Sequence, residues 1–158
     1  VAVKTVPRRK RRGDTHSPQR SASVGRFALP VVLVVDDNED NRELFAMVLE
    51  RLGYTIELAV DGLDGLERAQ ALSPNVILMD LAMPRMDGFE ATRAIRAIPE
   101  LASVHIIAVT AFTDALSAQR ALAAGCDEVL PKPITPDVLT VHIEAALRTR
   151  GGHARDAG

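Results

Sequence analysis

The stretch Val31-Val32-Leu33-Val34-Val35-Asp36-Asp37-Asn38 decides the fold. Its five consecutive apolar residues are mostly β-branched, which suits a strand buried on both faces; a half-exposed strand would alternate apolar with polar. A strand covered on both sides belongs in a parallel sheet sandwiched between helices. The run then breaks abruptly into Asp36, Asp37 and Asn38, residue types that can also cap a following helix. The same design recurs at Val76–Met79, an unbroken apolar run that ends in Asp80.

Outward from these two runs, strands and amphipathic segments alternate. Residues 39–52 read as a helix with Leu44, Val48 and Leu52 on one face and Gly53 as its stop. Thr55–Ala59 reads as a second strand, and Asp61 caps a helix carrying Leu63, Leu66 and Ala69 that ends before Ser73 and Pro74. Asp87 with Glu90 three residues later has the capping-box pattern and opens a helix with Ala91, Ile95 and Ile98 near one face. Residues 104–109 make a fourth strand, followed by a helix over 114–123 that Gly125 closes. Residues 128–130 form a short fifth strand. Thr135 as N-cap, Pro136 at the first helical position and Asp137 in the first turn announce a last helix, with Leu139, Ile143 and Leu147 spaced by four. Five strand-then-helix units with short connections predict an α/β fold, a doubly wound parallel sheet with helices on both faces.

Ligands of such sheets bind at the carboxyl ends of the strands. Asp36 and Asp37 follow the first strand, Asp80 the third, Thr110 the fourth and Lys132 the fifth, while the second strand ends without a comparable group. Three carboxylates brought together repel one another unless a cation neutralises them. Oxygen-only ligands select a hard ion, and Mg²⁺, which keeps waters and accepts phosphate oxygens, fits that set. Lys132 supplies a point charge for a phosphoryl oxygen and the Thr110 hydroxyl can donate to another. An Asp in this setting can act as a nucleophile toward phosphorus. The residues therefore predict a Mg²⁺-dependent phosphoryl acceptor.

Composition narrows the alternatives. Of 158 residues, 47% are hydrophobic and 25% charged, which excludes wholesale disorder. No stretch approaches the twenty or so apolar residues of a membrane span, and no signal-peptide run is visible. The single cysteine, Cys126, excludes an internal disulfide and a multi-thiolate metal site and fits a reducing cytoplasm; it is expected to be a small buried residue. Aromatic residues make up 3%, with no Trp, too few for base-stacking platforms. His16, His105, His142 and His153 are scattered, without metal-ligand spacing.

The net charge of −2 averages two unlike segments. Residues 1–30 hold eight basic residues and one acid, whereas the other 128 hold eleven basic and twenty acidic, so +7 stands beside −9. Residues 1–29 read as a basic disordered tail, with too few large apolar groups to offset ordering. Its cluster at residues 8–12 suits nucleic acid or an anionic membrane surface. The alternatives are a solvated tail or a segment ahead of the true start, with Val24 as another possible first residue. Residues 30–149 form the domain, and 150–158 a short polar tail.

In combination, four motifs resemble the receiver domain of bacterial two-component response regulators: Val-Leu-Val-Val-Asp-Asp-Asn (32–38), Leu-Met-Asp-Leu-Ala-Met-Pro-Arg-Met-Asp-Gly (78–88), Val-Thr-Ala (109–111) and Pro-Lys-Pro (131–133). The resemblance covers about residues 30–149. It implies a flavodoxin-like, five-stranded sheet of order 2-1-3-4-5 with five helices. It makes Asp80 the phosphorylated nucleophile, with Asp37, Asp80 and the Ala82 backbone carbonyl as ligands of Mg²⁺ (or Mn²⁺) and Asp36 holding metal-bound water. Lys132 and Thr110 would bind the phosphoryl oxygens, and a cis bond is implied between Lys132 and Pro133. Gly88 suits a close backbone approach and Pro84 stiffens the loop after Asp80. One position departs: the family has Tyr or Phe three residues before the Lys, and here stands Val129, so the coupled Thr–aromatic rotation cannot operate in its usual form. Ala82 and Phe112 make an apolar rim, which predicts a long-lived aspartyl phosphate.

The resemblance implies a single-domain, cytoplasmic response regulator that takes a phosphoryl group from a sensor histidine kinase or histidine phosphotransfer protein. It would signal to an unknown downstream protein by conformational switching, and would not be an enzyme. The alternatives are a receiver whose basic tail binds nucleic acid, the detached receiver of a hybrid histidine kinase, and an aspartate-based phosphatase, for which no general acid or substrate cap is visible.

Overall fold

The computed structural model describes residues 28–153, the last three by backbone alone. The expected basic tail except Ala28 and Leu29, including His16, Val24 and the cluster at 8–12, lies outside the described residues, as do 154–158. Five strands, β1 (Val31–Val35), β2 (Thr55–Ala59), β3 (Val76–Met79), β4 (His105–Thr110) and β5 (Glu128–Pro131), are each followed by a helix. The helices are α1 (Glu39–Arg51), α2 (Gly62–Leu72), α3 (Gly88–Arg96), α4 (Ala115–Ala124) and α5 (Pro136–His153), with a short 3-10 turn at Pro99–Leu101. The sheet runs β2-β1-β3-β4-β5 and every adjacent pair is parallel. The doubly wound α/β fold and its strand order are as expected.

The unbroken apolar runs divide their side chains between two layers, as alternation along a strand requires. Leu33, Val35, Ile77, Met79, Ile106 and Ala108 pack with Ala69 of α2, Ala91 and Ile95 of α3, and Ala121 and Ala124 of α4. Val32, Val34, Val76, Leu78, Ile107 and Val109 pack on the other side with Phe45 and Leu49 of α1 and Leu139, Ile143 and Ala146 of α5. The caps at Asn38, Asp61 and Asp87 form as the sequence predicts, each accepting from the backbone N–H three residues on; Asp114, read as the first helical residue, is likewise a cap, and Gly125 closes α4 in a left-handed conformation. No helix among the described residues is long and apolar enough to cross a membrane.

One helix is rotated from its expected face, and in a second, where Leu66 and Ala69 pack on the core as expected, one residue of the stripe is exposed. On α1 the buried residues are Phe45 and Leu49, while Leu44 and Leu52 are 41% and 52% exposed. Both stripes have helical spacing, and the one carrying the larger aromatic surface wins the core. On α2, Leu63 is exposed and Gly62 and Gly65 are buried instead. A Cβ at Gly65 would lie 2.9 Å from Val35, so α2 approaches the sheet through its glycines. At the boundaries, β4 starts at His105 rather than Val104, whose N–H closes a turn onto Leu101, and β5 reaches Pro131.

The last helix continues to His153, into the segment read as a polar tail. Arg150 holds it down by donating to the Asn75 carbonyl at 2.7 Å. Two of the scattered histidines also meet: His105 Nε2 and His142 Nδ1 lie 2.9 and 2.6 Å from the two carboxylate oxygens of Glu128. Cys126 is buried, 3.6 Å from the Thr92 hydroxyl, and burial pushes its thiol pKa up.

Candidate functional site

Parallel strands end together, so the polar residues that terminate them gather at one edge of the sheet. Backbone pairing fixes two of the acids: Asp36 N–H donates to Ala59 and Asp80 N–H to Val35. Asp36 and Asp80 are 2% and 6% exposed, whereas Asp37 is open to solvent. Carboxylate oxygens of Asp36, Asp37 and Asp80 come within 4.8 Å of one another. Lys132 reaches in from the end of β5, with Nζ 3.0 Å from Asp36 Oδ2 and 3.2 Å from Asp80 Oδ2. The Lys132–Pro133 peptide is cis.

The electrostatics follow from this crowding. Burial raises the Asp80 pKa, and the Asp36 charge adds to it; the Ala82 N–H and Lys132 pull the other way without prevailing. Burial alone would lower the Lys132 pKa, but hydrogen bonding to Asp36 and the charges of Asp80 and Asp36 drive it up. Lys132 is thus the counter-cation of an anionic pocket that is hard-oxygen in character, a donor set that fits Mg²⁺.

The loop after β3 is tightly tied. Asp80 Oδ1 accepts from the Ala82 N–H at 3.1 Å, and the Gly88 N–H donates to Leu81. A Cβ at Gly88 would strike the Asp80 carbonyl oxygen, so the start of α3 can approach the strand end only as glycine. Thr110 is buried beside the pocket, its hydroxyl accepting from the Phe112 N–H at 3.1 Å and its carbonyl from the Lys132 N–H at 2.8 Å. Ala82 and Phe112 are both exposed. Val129 is half-buried and packs on the α2–α3–α4 layer.

Some participants escaped the sequence reading. Asn41 donates to Asp36 Oδ2 at 3.2 Å and Arg42 to the Asp36 carbonyl at 2.7 Å, both from the first turn of α1. Asp61, read only as a cap, is buried and also takes Arg85 Nε at 2.7 Å, while Gly62 N–H donates to Met86. The end of β2 therefore does contribute a polar anchor, which ties the loop following Asp80 to the start of α2. A basic residue in that loop opposite an acidic cap was the available signal.

The response regulator receiver domain model matches residues 32–144. The chain belongs to the response regulator receiver family. The receiver domains of this family bind Mg²⁺ at an acidic pocket, and in this chain the carboxylates of Asp36, Asp37 and Asp80 cluster at the strand ends. The chain is 39% identical over 124 residues to the sensor histidine kinase RcsC of Salmonella typhimurium, covering 76% of this chain and 13% of that protein. It is 37% identical over 117 residues to the response regulator MprA of Mycobacterium ulcerans, covering 74% and 50% respectively. The chain thus spans half or less of the length of these curated relatives. Among solved structures, the chemotaxis protein CheY4 of Vibrio cholerae superposes with a TM-score of 0.73 at 33% identity, over 76% of this receiver and all of that chain.

Proposed function

We propose that Asp80 of this receiver accepts a phosphoryl group from the phosphohistidine of a cytoplasmic histidine kinase or phosphotransfer protein. The observation that carries the reading is the convergence of Lys132 Nζ on Asp36 and Asp80, 3.0 and 3.2 Å away, inside a cluster of three carboxylates. An Asp80 carboxylate oxygen forms the new bond to phosphorus as the phosphorus–nitrogen bond of the donor breaks, and the imidazole leaves with the electron pair. Lys132 exchanges its contact with Asp80 for a phosphoryl oxygen, and the Thr110 hydroxyl donates to another. Asp37, Asp80 and the Ala82 carbonyl would hold Mg²⁺ directly and Asp36 through water. When bound, the ion neutralises charge on the transferring group.

The output is a shift in the surface around β4 and β5, carried by Thr110 and read by a partner protein. With Val129 in place of an aromatic residue, that shift cannot use a ring swinging behind Thr110. The receiver acts here as a phosphoacceptor whose acyl phosphate hydrolyses slowly. The test is labelling from a phosphorylated kinase or from acetyl phosphate in the presence of Mg²⁺. Wild type incorporates phosphate, Asp80→Ala does not, and chelation abolishes the reaction; equal labelling of the two proteins would overturn the assignment.

A further inference from the structure

Asp36 is almost wholly buried, so each of its carboxylate oxygens needs a partner. Oδ1 accepts from the Asn38 N–H at 2.8 Å. Oδ2 accepts from Lys132 Nζ at 3.0 Å and from Asn41 Nδ2 at 3.2 Å. In the phosphotransfer reading, on which this inference rests, Lys132 turns to the phosphoryl group. Asn41 is the uncharged side-chain donor on Oδ2, and the transfer does not draw it away.

We infer that Asn41 is a positioning residue for divalent-cation binding: it fixes the plane of the Asp36 carboxylate so that Asp36 faces the ion's water shell. The residue type suits the task. An amide donates a hydrogen bond but carries no charge, so it orients the carboxylate without adding a second positive charge to that of Lys132. The support is rigid. Asn41 donates its own backbone N–H at 3.0 Å to Asn38 Oδ1, the cap of α1. Neighbouring Arg42 grips the Asp36 carbonyl at 2.7 Å. The first turn of α1 thereby holds Asp36 at both its backbone and its carboxylate. Partners that orient the groups around a metal typically change affinity by about 10- to 100-fold when removed.

The test uses the full chain with Asn41→Leu, which keeps the side chain's size, and Asn41→Ala, which favours the helix. Mg²⁺ binding is measured by titration calorimetry, and Mn²⁺ binding by the loss of its free-ion magnetic resonance signal. Both variants are expected to bind roughly tenfold more weakly. The Mg²⁺ concentration for half-maximal labelling by acetyl phosphate rises by the same factor, while the rate at saturating Mg²⁺ falls less. A purely structural role lowers the melting temperature without moving the metal constant. Affinities within about twofold of wild type, in variants that still melt cooperatively, overturn the inference. Failure of wild type itself to bind Mg²⁺ overturns the phosphoacceptor reading beneath it, a separate and recognisable result.

Discussion

Ala82 donates its backbone N–H to the Asp80 carboxylate and Phe112 donates its own to the Thr110 hydroxyl; both residues are exposed, and neither side chain can accept a proton or orient a water. A water attacking an acyl phosphate on Asp80 would find no base at this rim, so the phosphorylated state should persist. Phe112→Glu and Ala82→Asn each supply a polar group at the rim, and each is expected to speed dephosphorylation by roughly tenfold, below the usual 10²–10⁴ of a well-placed general base. The decay of labelled protein after donor removal measures this, and lifetimes unchanged in both variants would count against the apolar-rim explanation. At this scale the sequence revealed the residues that end buried runs: Asp36, Asp37, Asp80, Thr110 and Lys132 are all polar breaks after apolar strands. It did not reveal Asn41 or Arg42. Their contacts depend on how far α1 is rotated about its axis, and two stripes of that helix have plausible apolar spacing.

The same ambiguity explains what was misread in whole elements. Leu44, Val48 and Leu52 have the spacing of a core face, but Phe45 and Leu49 take the core. Composition marks residues from 150 onward as a polar tail, whereas α5 runs on to His153 and Arg150 donates to the carbonyl of Asn75, far away in sequence. Asp61 connects two elements in the same long-range way. Its pKa is lowered first by the Asp64 N–H it caps and further by Arg85, with burial opposing. The folded chain therefore holds this proton more weakly than the unfolded chain. The corresponding stability is present above the ordinary carboxylate value near 4 and is lost as pH falls through the lower folded value. Asp61→Asn keeps a capping side chain but loses the ion pair with Arg85, which is largely exposed and so screened. Urea unfolding should show the variant less stable by about 1 kcal/mol or less at neutral pH. The gap should close in acid; one that stays constant down to about pH 3, well below the ordinary carboxylate value, would contradict the pairing.

Across the whole molecule, the parallel sheet and its two helical layers were legible because continuous apolar strands admit few other environments. Periodicity alone leaves strand order open; the linked motifs implied it, and the observed β2-β1-β3-β4-β5 order brings Asp36 and Asp80 onto adjacent central strands. That placement concentrates negative charge at one edge, and the fold is less stable for it. The raised pKa of Asp80 means that ionising it costs the folded state more than the unfolded one. Asp80→Asn should therefore raise the melting temperature of the metal-free protein at neutral pH, since Lys132 keeps Asp36 as its partner. Mg²⁺ should act in the same direction on wild type. An ion that binds the folded chain alone adds about 1.4 kcal/mol at ten times its Kd, which is roughly 4–6 °C for a domain of this size. Melting curves in chelator and in Mg²⁺, at matched ionic strength, should show a clear upward shift for wild type and a much smaller one for Asp80→Asn. Equal shifts in the two proteins would mean that the ion stabilises the chain from somewhere other than the carboxylate cluster.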